Sequence, residues 1–170
     1  MVVLHSLTYG PSLRKALDRA KERVWISTYV LSFNFRKKND LINILMSTLR
    51  AKQKAGVDVR FLIDRPRAHK TNYHAGQFLV RRLKEWRFPF WLSPARNTCH
   101  AKVILIDRHR AFLGSHNLAK SSLQNPLELS IETSEPGTVD GVDRWFQEKF
   151  KDPGFEYFPP GDYQISQVYP

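Results

Sequence analysis

Residues 100–117, HAKVILIDRHRAFLGSHN, contain two apolar runs separated by a short polar segment. VILI and AFLG have the composition of neighbouring β-strands, and the DRHR between them that of a turn. We therefore predict an antiparallel hairpin in which Ile106 lies opposite Ala111. The prediction depends on a regular ladder, since a β-bulge shifts every later pair by one residue.

This register brings polar side chains to one end of the hairpin. It places His100 opposite Asn117 and Lys102 opposite Ser115, with all four side chains on the same side of the sheet. An imidazole can act as nucleophile or general base, and an ammonium, an amide and a hydroxyl can hold the charge of phosphate oxygens. A solvent-exposed histidine or a turn-capping asparagine explains each residue singly. Together they favour phosphodiester chemistry.

Strands alternate with helices on both sides of this hairpin. The alternation predicts an α/β sandwich in which a mixed β-sheet is flanked by helices on both faces. We expect one domain over residues 1–151 and an extended tail over residues 152–170, which are rich in Pro, Gly and Tyr. Outside the hairpin, the predicted strands are 24–32, 57–64, 89–92 and 127–133, and the predicted helices are 12–22, 40–55, 77–86 and 139–150.

Charge is distributed unevenly along the 170 residues. The net charge is +11, but residues 1–120 hold 24 Lys and Arg against 7 Asp and Glu, whereas residues 121–170 hold 3 against 9. The basic part favours a nucleic acid or an anionic membrane surface over a neutral substrate. The candidates for phosphate contacts, in loops that follow two predicted strands, are Arg36, Lys37, Lys38, Arg65, Arg67 and Lys70.

Other classes of protein fit the sequence poorly. Its single cysteine, Cys99, cannot form an internal disulfide, which fits a reducing compartment. No apolar stretch reaches the roughly 20 residues of a membrane span, so we expect a cytoplasmic protein without integral membrane association. No His, Cys, Asp or Glu pair has the spacing of a zinc or di-metal site, and we expect neither metal nor cofactor.

The spacing H-x-K, four residues, D, six residues, G-S-x-N resembles the signature of the phospholipase D superfamily. The resemblance implies that His100 is the nucleophile and that Lys102 and Asn117 belong to the same site. It implies a structural role for Asp107. Superfamily members also use a downstream acid to orient the histidine, and Glu128 resembles that residue. From the sequence alone, an exposed carboxylate at the end of a strand is an equal alternative for Glu128.

The superfamily's mechanism uses two such motifs, one histidine forming a phosphohistidine and the other protonating the leaving oxygen. This sequence contains one H-x-K, so the resemblance implies a homodimer with a shared active site. Small members with one motif are mostly metal-independent nucleases. The leading hypothesis is therefore a phosphodiesterase that cleaves nucleic acid as an endonuclease, with DNA favoured over RNA. The alternatives are a phospholipase D or phosphatidyltransferase and a catalytically silent nucleic-acid-binding module.

Overall fold

The computed structural model describes residues 1–32, 40–67 and 73–161, in which strands and helices alternate. The strands are β1 (Val2–His5), β2 (Arg23–Thr28), β3 (Leu31–Ser32), β4 (Asp58–Ile63), β5 (Phe90–Leu92), β6 (Val103–Ile106), β7 (Arg110–Gly114), β8 (Leu118–Ala119), β9 (Leu129–Thr133) and β10 (Glu156–Phe158), and the helices are α1 (Ser6–Arg19), α2 (Leu41–Lys54), α3 (Tyr73–Glu85), α4 (Lys120–Leu123) and α5 (Pro136–Lys151).

The main sheet of the described residues contains eight strands in the order β1-β9-β7-β6-β2-β4-β5-β10. β2, β4 and β5 run parallel, and each remaining neighbouring pair is antiparallel. The predicted mixed sheet is therefore confirmed. β3 and β8 form a separate, parallel two-stranded sheet.

Both faces of the main sheet are covered by helices. β2 is buried at all six positions, because its apolar side chains point alternately into two cores. Val24 and Ile26 join the core that includes residues of α1, α2 and α3. Trp25 joins the second core, which includes Phe146 of α5. The predicted α/β sandwich is confirmed by this arrangement.

The hairpin between β6 and β7 has a different register from the predicted one. Ile106 pairs with Arg110, and Leu105 pairs with Ala111, so the expected pairing of Ile106 with Ala111 is wrong by one residue. Asp107 adopts a positive φ of 54°, which closes the turn over three residues and leaves Arg110 in the strand. The guanidinium of Arg110 is held by Glu132 of the neighbouring strand at 2.8 Å.

The β6–β7 ladder ends at Gly114, before Ser115 and Asn117. The Gly114 N–H donates to the Lys102 carbonyl at 3.3 Å, and the following residue, Ser115, donates its N–H to Leu129 of β9. A Cβ at position 114 would collide with Ser130, so only glycine permits this close approach of β7 to β9. Asn117 thus leaves the sheet in a loop and does not lie opposite His100.

The ends of the domain also differ from the prediction. α1 begins at Ser6 rather than residue 12, because Thr8 Oγ1 accepts from the His5 N–H at 3.0 Å and caps the first turn. β1 was not predicted, since four residues carry little periodic signal. In the expected tail, β10 pairs with β5, so the sheet continues beyond residue 151.

No helix in the described ranges combines the length and apolar character of a membrane span.

Candidate active site

His100 and Lys102 meet directly in front of β6. Lys102 Nζ lies 2.9 Å from His100 Nδ1 and 3.2 Å from His100 Nε2, and it donates to the His100 carbonyl oxygen at 2.7 Å. An ammonium has only donors, so the ring nitrogen to which it donates, one of these two, accepts and carries a lone pair. The His100 side chain is exposed, whereas Lys102 is half-buried. Burial lowers the pKa of Lys102, and the negative charge of Glu128 opposes this shift.

Tyr29 forms a wall behind this pair, and the sequence reasoning missed it. Its ring centroid lies 4.6 Å from that of His100, and Lys102 Nζ lies 5.3 Å from its centroid. The ring thus limits the rotation of both side chains. Tyr29 directly follows β2, which lies beside β6, and its place at the end of a central buried strand is the one sequence signal that could have identified it.

Asn117 reaches the same corner through the loop that follows β7. Its Oδ1 accepts from the Val30 N–H at 3.0 Å, one residue beyond Tyr29. Its own N–H donates to Ser122 Oγ at 2.8 Å. Because the carbonyl end of the side chain is held by Val30, the amide nitrogen is the end left to donate to a substrate. Among the described residues, no acceptor forms a hydrogen bond with that nitrogen that would compete with a substrate.

Glu128 is connected to Asn117 through Ser122. The buried Ser122 hydroxyl accepts from Asn117 and donates to Glu128 Oε1 at 3.1 Å. Within the described part of one chain, Glu128 makes no hydrogen bond to His100, although its charge acts on Lys102. Sequence reasoning missed Ser122 because a serine in a short helix has no distinguishing pattern.

Ser115 and Asp107 have structural contacts. Ser115 Oγ donates to the Leu129 carbonyl at 3.1 Å and accepts from the Leu129 N–H at 2.9 Å, so its proton is committed to β9.

Asp107 lies at the far end of β6, about 20 Å along the chain from His100. Its carboxylate accepts from the backbone N–H groups of residues 21–23. Burial alone would raise the pKa of Asp107, but these donors lower it below its ordinary value.

Cys99 and His116, the sequence neighbours of the motif residues, are buried. Cys99 lies 3.5 Å from Ser27 in the core beside α5, and burial raises the pKa of its thiol. His116 stacks on Tyr9 at a centroid distance of 4.4 Å, and burial lowers its pKa. Neither side chain makes a hydrogen bond to His100 within the described residues. Among the residues that the structure describes, no three His, Cys, Asp or Glu side chains form a potential metal-binding group.

The two described members of the expected phosphate-binding set make contacts within the protein. Arg65 donates to the Ser93 carbonyl at 3.0 Å and pairs with Glu156 at 2.7 Å. Arg67 donates to the carbonyl oxygens of residues 94, 95 and 97, with distances from 2.6 to 3.0 Å. Both guanidinium groups thus support the loop after β5. The remaining members, Arg36, Lys37, Lys38 and Lys70, lie outside the described residues.

Comparisons with known sequences identify relatives over most of the chain. The family model described as "Cardiolipin synthase, PLD-like domain" matches residues 13–150. Cardiolipin synthase A of Pseudomonas aeruginosa (strain LESB58) is 30% identical over 145 residues, covering 84% of this chain and 27% of the relative. Cardiolipin synthase A of Pseudomonas putida (strain KT2440) is 30% identical over 139 residues. The chain therefore spans about a quarter of the length of these curated relatives.

Solved structures share the fold at lower sequence identity. Nuc from Salmonella typhimurium, a phospholipase D family member, has a TM-score of 0.73 and 20% identity, covering 93% of this chain and 97% of that chain. NucT from Helicobacter pylori has a TM-score of 0.67 and 18% identity, covering 88% of this chain and 94% of that chain. Unlike the curated relatives, both have nearly the extent of this chain.

Proposed function

Since the chain belongs to the phospholipase D superfamily, with a PLD-like domain over residues 13–150, we propose that it is a metal-independent phosphodiesterase that cleaves nucleic acid as an endonuclease. The observation that carries the proposal is the contact of Lys102 Nζ with the His100 ring, at 2.9 Å from Nδ1 and 3.2 Å from Nε2, at the corner where the Asn117 amide nitrogen has no acceptor among the described residues. These groups supply a nucleophile and two donors for phosphate oxygens.

The proposed reaction begins when a phosphate oxygen replaces the imidazole as acceptor of the Lys102 hydrogen bond. This releases the lone pair of the His100 nitrogen, which forms a bond to phosphorus while the bond to the leaving oxygen breaks. A second, protonated imidazole gives its proton to that oxygen. Water then attacks phosphorus, the second imidazole takes its proton, and the phosphorus–nitrogen bond breaks. Lys102 and Asn117 stabilise the charge on the non-bridging oxygens throughout.

The second imidazole in this proposal is the partner's His100 in a homodimer. An exposed leucine patch next to the site supports this arrangement: Leu7, Leu127 and Leu129 are 81%, 90% and 57% exposed. His5 pairs with Leu129 across β1 and β9, which brings the start of α1 beside the start of β9. Burial of each such side chain contributes about 1.5–3 kcal/mol. Contact of the patch with a protein partner is therefore favoured over its exposure to water.

The leucine patch is continuous with the site residues. The Ser115 hydroxyl is hydrogen-bonded to the Leu129 backbone, and Glu128 lies in sequence between Leu127 and Leu129, the first residue of β9. The Glu128 carboxylate, which accepts from Ser122, places negative charge next to the patch, and this disfavours an anionic lipid surface. Glu128 and the nearby Lys102 make the surface self-complementary in charge, as a twofold interface requires.

The substrate class rests on charge. The excess of 24 Lys and Arg over 7 Asp and Glu in residues 1–120 supports a polyanionic substrate. The second candidate is transfer of a phosphatidyl group, because the matching family model and the curated relatives carry the name cardiolipin synthase. That reaction differs in the second step, in which an alcohol rather than water attacks phosphorus.

An activity panel with EDTA present tests the proposal. We expect cleavage of DNA, with or without RNA, and no release or transfer of phospholipid headgroups. Turnover of phospholipid alone would support the second candidate and overturn the first. His100→Ala is expected to be inactive towards every substrate and to keep its circular dichroism spectrum.

Mixing of subunits tests the shared site. A heterodimer of wild type and His100→Ala has one intact histidine where the mechanism needs two. In an equal mixture with free exchange, activity is expected to fall to about a quarter of the all-wild-type value. A fall to only half would show that each subunit works alone. Sedimentation of the wild type should give about twice the chain mass of 19.9 kDa.

A further inference from the structure

A second feature of the active-site corner is a cleft of about 340 Å³ between the β3–β8 sheet and α3. We name it the Lys120 cleft. Its volume lies at the small end of the range of ligand-binding pockets, about 300–1,000 Å³. The residues that line it and bear on its chemistry are Tyr29, Ser32, Lys120 and Ser121.

The Lys120 cleft shares a wall with the proposed catalytic residues. Tyr29 lines the cleft, and the same ring lies 4.6 Å from the ring of His100 and 5.3 Å from Lys102 Nζ. Val30, which also lines the cleft, holds the amide of Asn117. The cleft therefore lies directly next to the position at which a phosphodiester would meet His100.

Lys120 is placed in the cleft by the backbone that carries the motif. The two residues after Asn117 form β8, and Ala119 pairs with Ser32 of β3. Lys120 follows at once, as the first residue of α4, with an exposed side chain. In the described part of the chain, no carboxylate forms an ion pair with it. Arg65 and Arg67, by contrast, are held by protein carbonyl and carboxylate oxygens.

The chemistry of the walls indicates the ligand. An ammonium with no ion pair to any described residue and two serine hydroxyl groups suit a phosphate and a sugar, and the small volume suits one nucleotide unit rather than an acyl chain. We propose that the Lys120 cleft binds the nucleotide next to the scissile phosphodiester and that Lys120 contacts its phosphate. This inference rests on the proposed nuclease function and adds to it a binding site for a second phosphate of the substrate.

Two substrates that differ in the second phosphate test the inference. Bis(p-nitrophenyl) phosphate has one phosphodiester, whereas a single-stranded oligodeoxynucleotide has a row of them. For Lys120→Ala, we expect the ratio of kcat/KM on the oligonucleotide to kcat/KM on the small diester to fall about tenfold, the loss of one exposed charged contact. The salt dependence of log KM for the oligonucleotide should lose about 0.7 in slope, the share of one phosphate on a single strand.

Two control variants separate a local contact from a general charge effect. Lys120→Arg keeps the cation and should keep the ratio. Lys54→Ala removes an exposed lysine at the end of α2 and should leave both the ratio and the salt slope unchanged.

The outcomes are distinct. An unchanged ratio and slope for Lys120→Ala, or an equal loss on both substrates, would overturn the cleft assignment while leaving the nuclease proposal intact. If Lys54→Ala changes the ratio and the salt slope as much as Lys120→Ala does, the effect is one of diffuse charge, and the cleft assignment is overturned as well. If the wild type hydrolyses phospholipid but cleaves no oligonucleotide, the nuclease proposal fails, and the assignment fails with it.

Discussion

Asp107→Asn tests whether Asp107 acts through structural contacts, apart from the motif residues that we propose as catalytic. Asp107 Oδ1 accepts from the N–H groups of Lys21, Glu22 and Arg23 at 3.1, 2.8 and 3.1 Å. These bonds hold the connection between α1 and β2 against the β6–β7 turn. Asparagine has the same shape but presents an uncharged oxygen and an NH₂ group, which cannot accept from backbone N–H donors.

The size of the effect follows from the bonds that are lost. A hydrogen bond to a charged group contributes about 1.5–3 kcal/mol, and a buried donor left without an acceptor costs about 1–3 kcal/mol. The amide oxygen of asparagine still satisfies part of the set, so we expect the free energy of unfolding to fall by about 3 kcal/mol. For a domain of this size, that corresponds to a melting temperature lower by roughly 6–12 °C.

Urea unfolding and steady-state kinetics, measured on the same samples, test this expectation. At a temperature where the variant is folded, kcat should stay within about twofold of wild type, because Asp107 lies about 20 Å along the chain from His100. Asp140→Asn, which alters an exposed carboxylate on α5, is the matched control and should change neither quantity. A large loss of kcat in folded Asp107→Asn would refute the structural assignment.

The stabilisation by Asp107 also depends on pH. The pKa of Asp107 in the folded protein is below the ordinary value. The stabilisation is therefore present above about pH 4, where the Asp107 carboxyl group is ionised in the unfolded chain as well. It is lost as the pH falls through the lower pKa of the folded state. The difference in unfolding free energy between wild type and Asp107→Asn should therefore be constant near neutrality and shrink below about pH 4.

Three further perturbations test the site and its surroundings. Leu127→Lys with Leu129→Lys should raise the dissociation constant of the proposed dimer by a factor on the order of 10⁴ or more, measured by sedimentation, because a twofold axis removes each leucine twice and each burial contributes about 1.5 kcal/mol or more. Ser122→Ala should lower kcat on the order of tenfold with less effect on KM, because the Asn117 loop loses its anchor. Urea unfolding should show falling stability below about pH 6.5, where the unfolded chain protonates His116 and the buried ring resists protonation.

Each of these has a control and a contradicting result. Tyr157→Ser changes an exposed apolar residue at the opposite edge of the sheet and should leave the dimer intact. An unchanged dimer in the double lysine variant would exclude the leucine patch as the interface. Ser122→Thr should restore most of kcat. His116→Gln should flatten the pH dependence, and an unaltered slope in that variant would assign it to another group.

The family and the fold class could both be predicted from the sequence. The spacing of His100, Lys102 and Asn117 within one short segment keeps them near one strand end, whatever the details of the ladder. The alternation of apolar strands and amphipathic helices requires two covered sheet faces, because each element must bury its apolar side. These features are local or periodic, which is why a linear sequence reveals them.

The tertiary structure decided how the residues are held. The turn is one residue shorter than expected, which shifts the register of the hairpin, and a slip of one residue moves side chains to the other face of a sheet. Asn117 therefore does not pair with His100 and reaches the site through its hydrogen bond with Val30. Tyr29, Ser122 and the protein contacts of Arg67 depend on partners up to 73 residues apart or on backbone groups that have no signature in sequence. Contacts between side chains and distant backbone follow no period, because the path of the whole chain sets them.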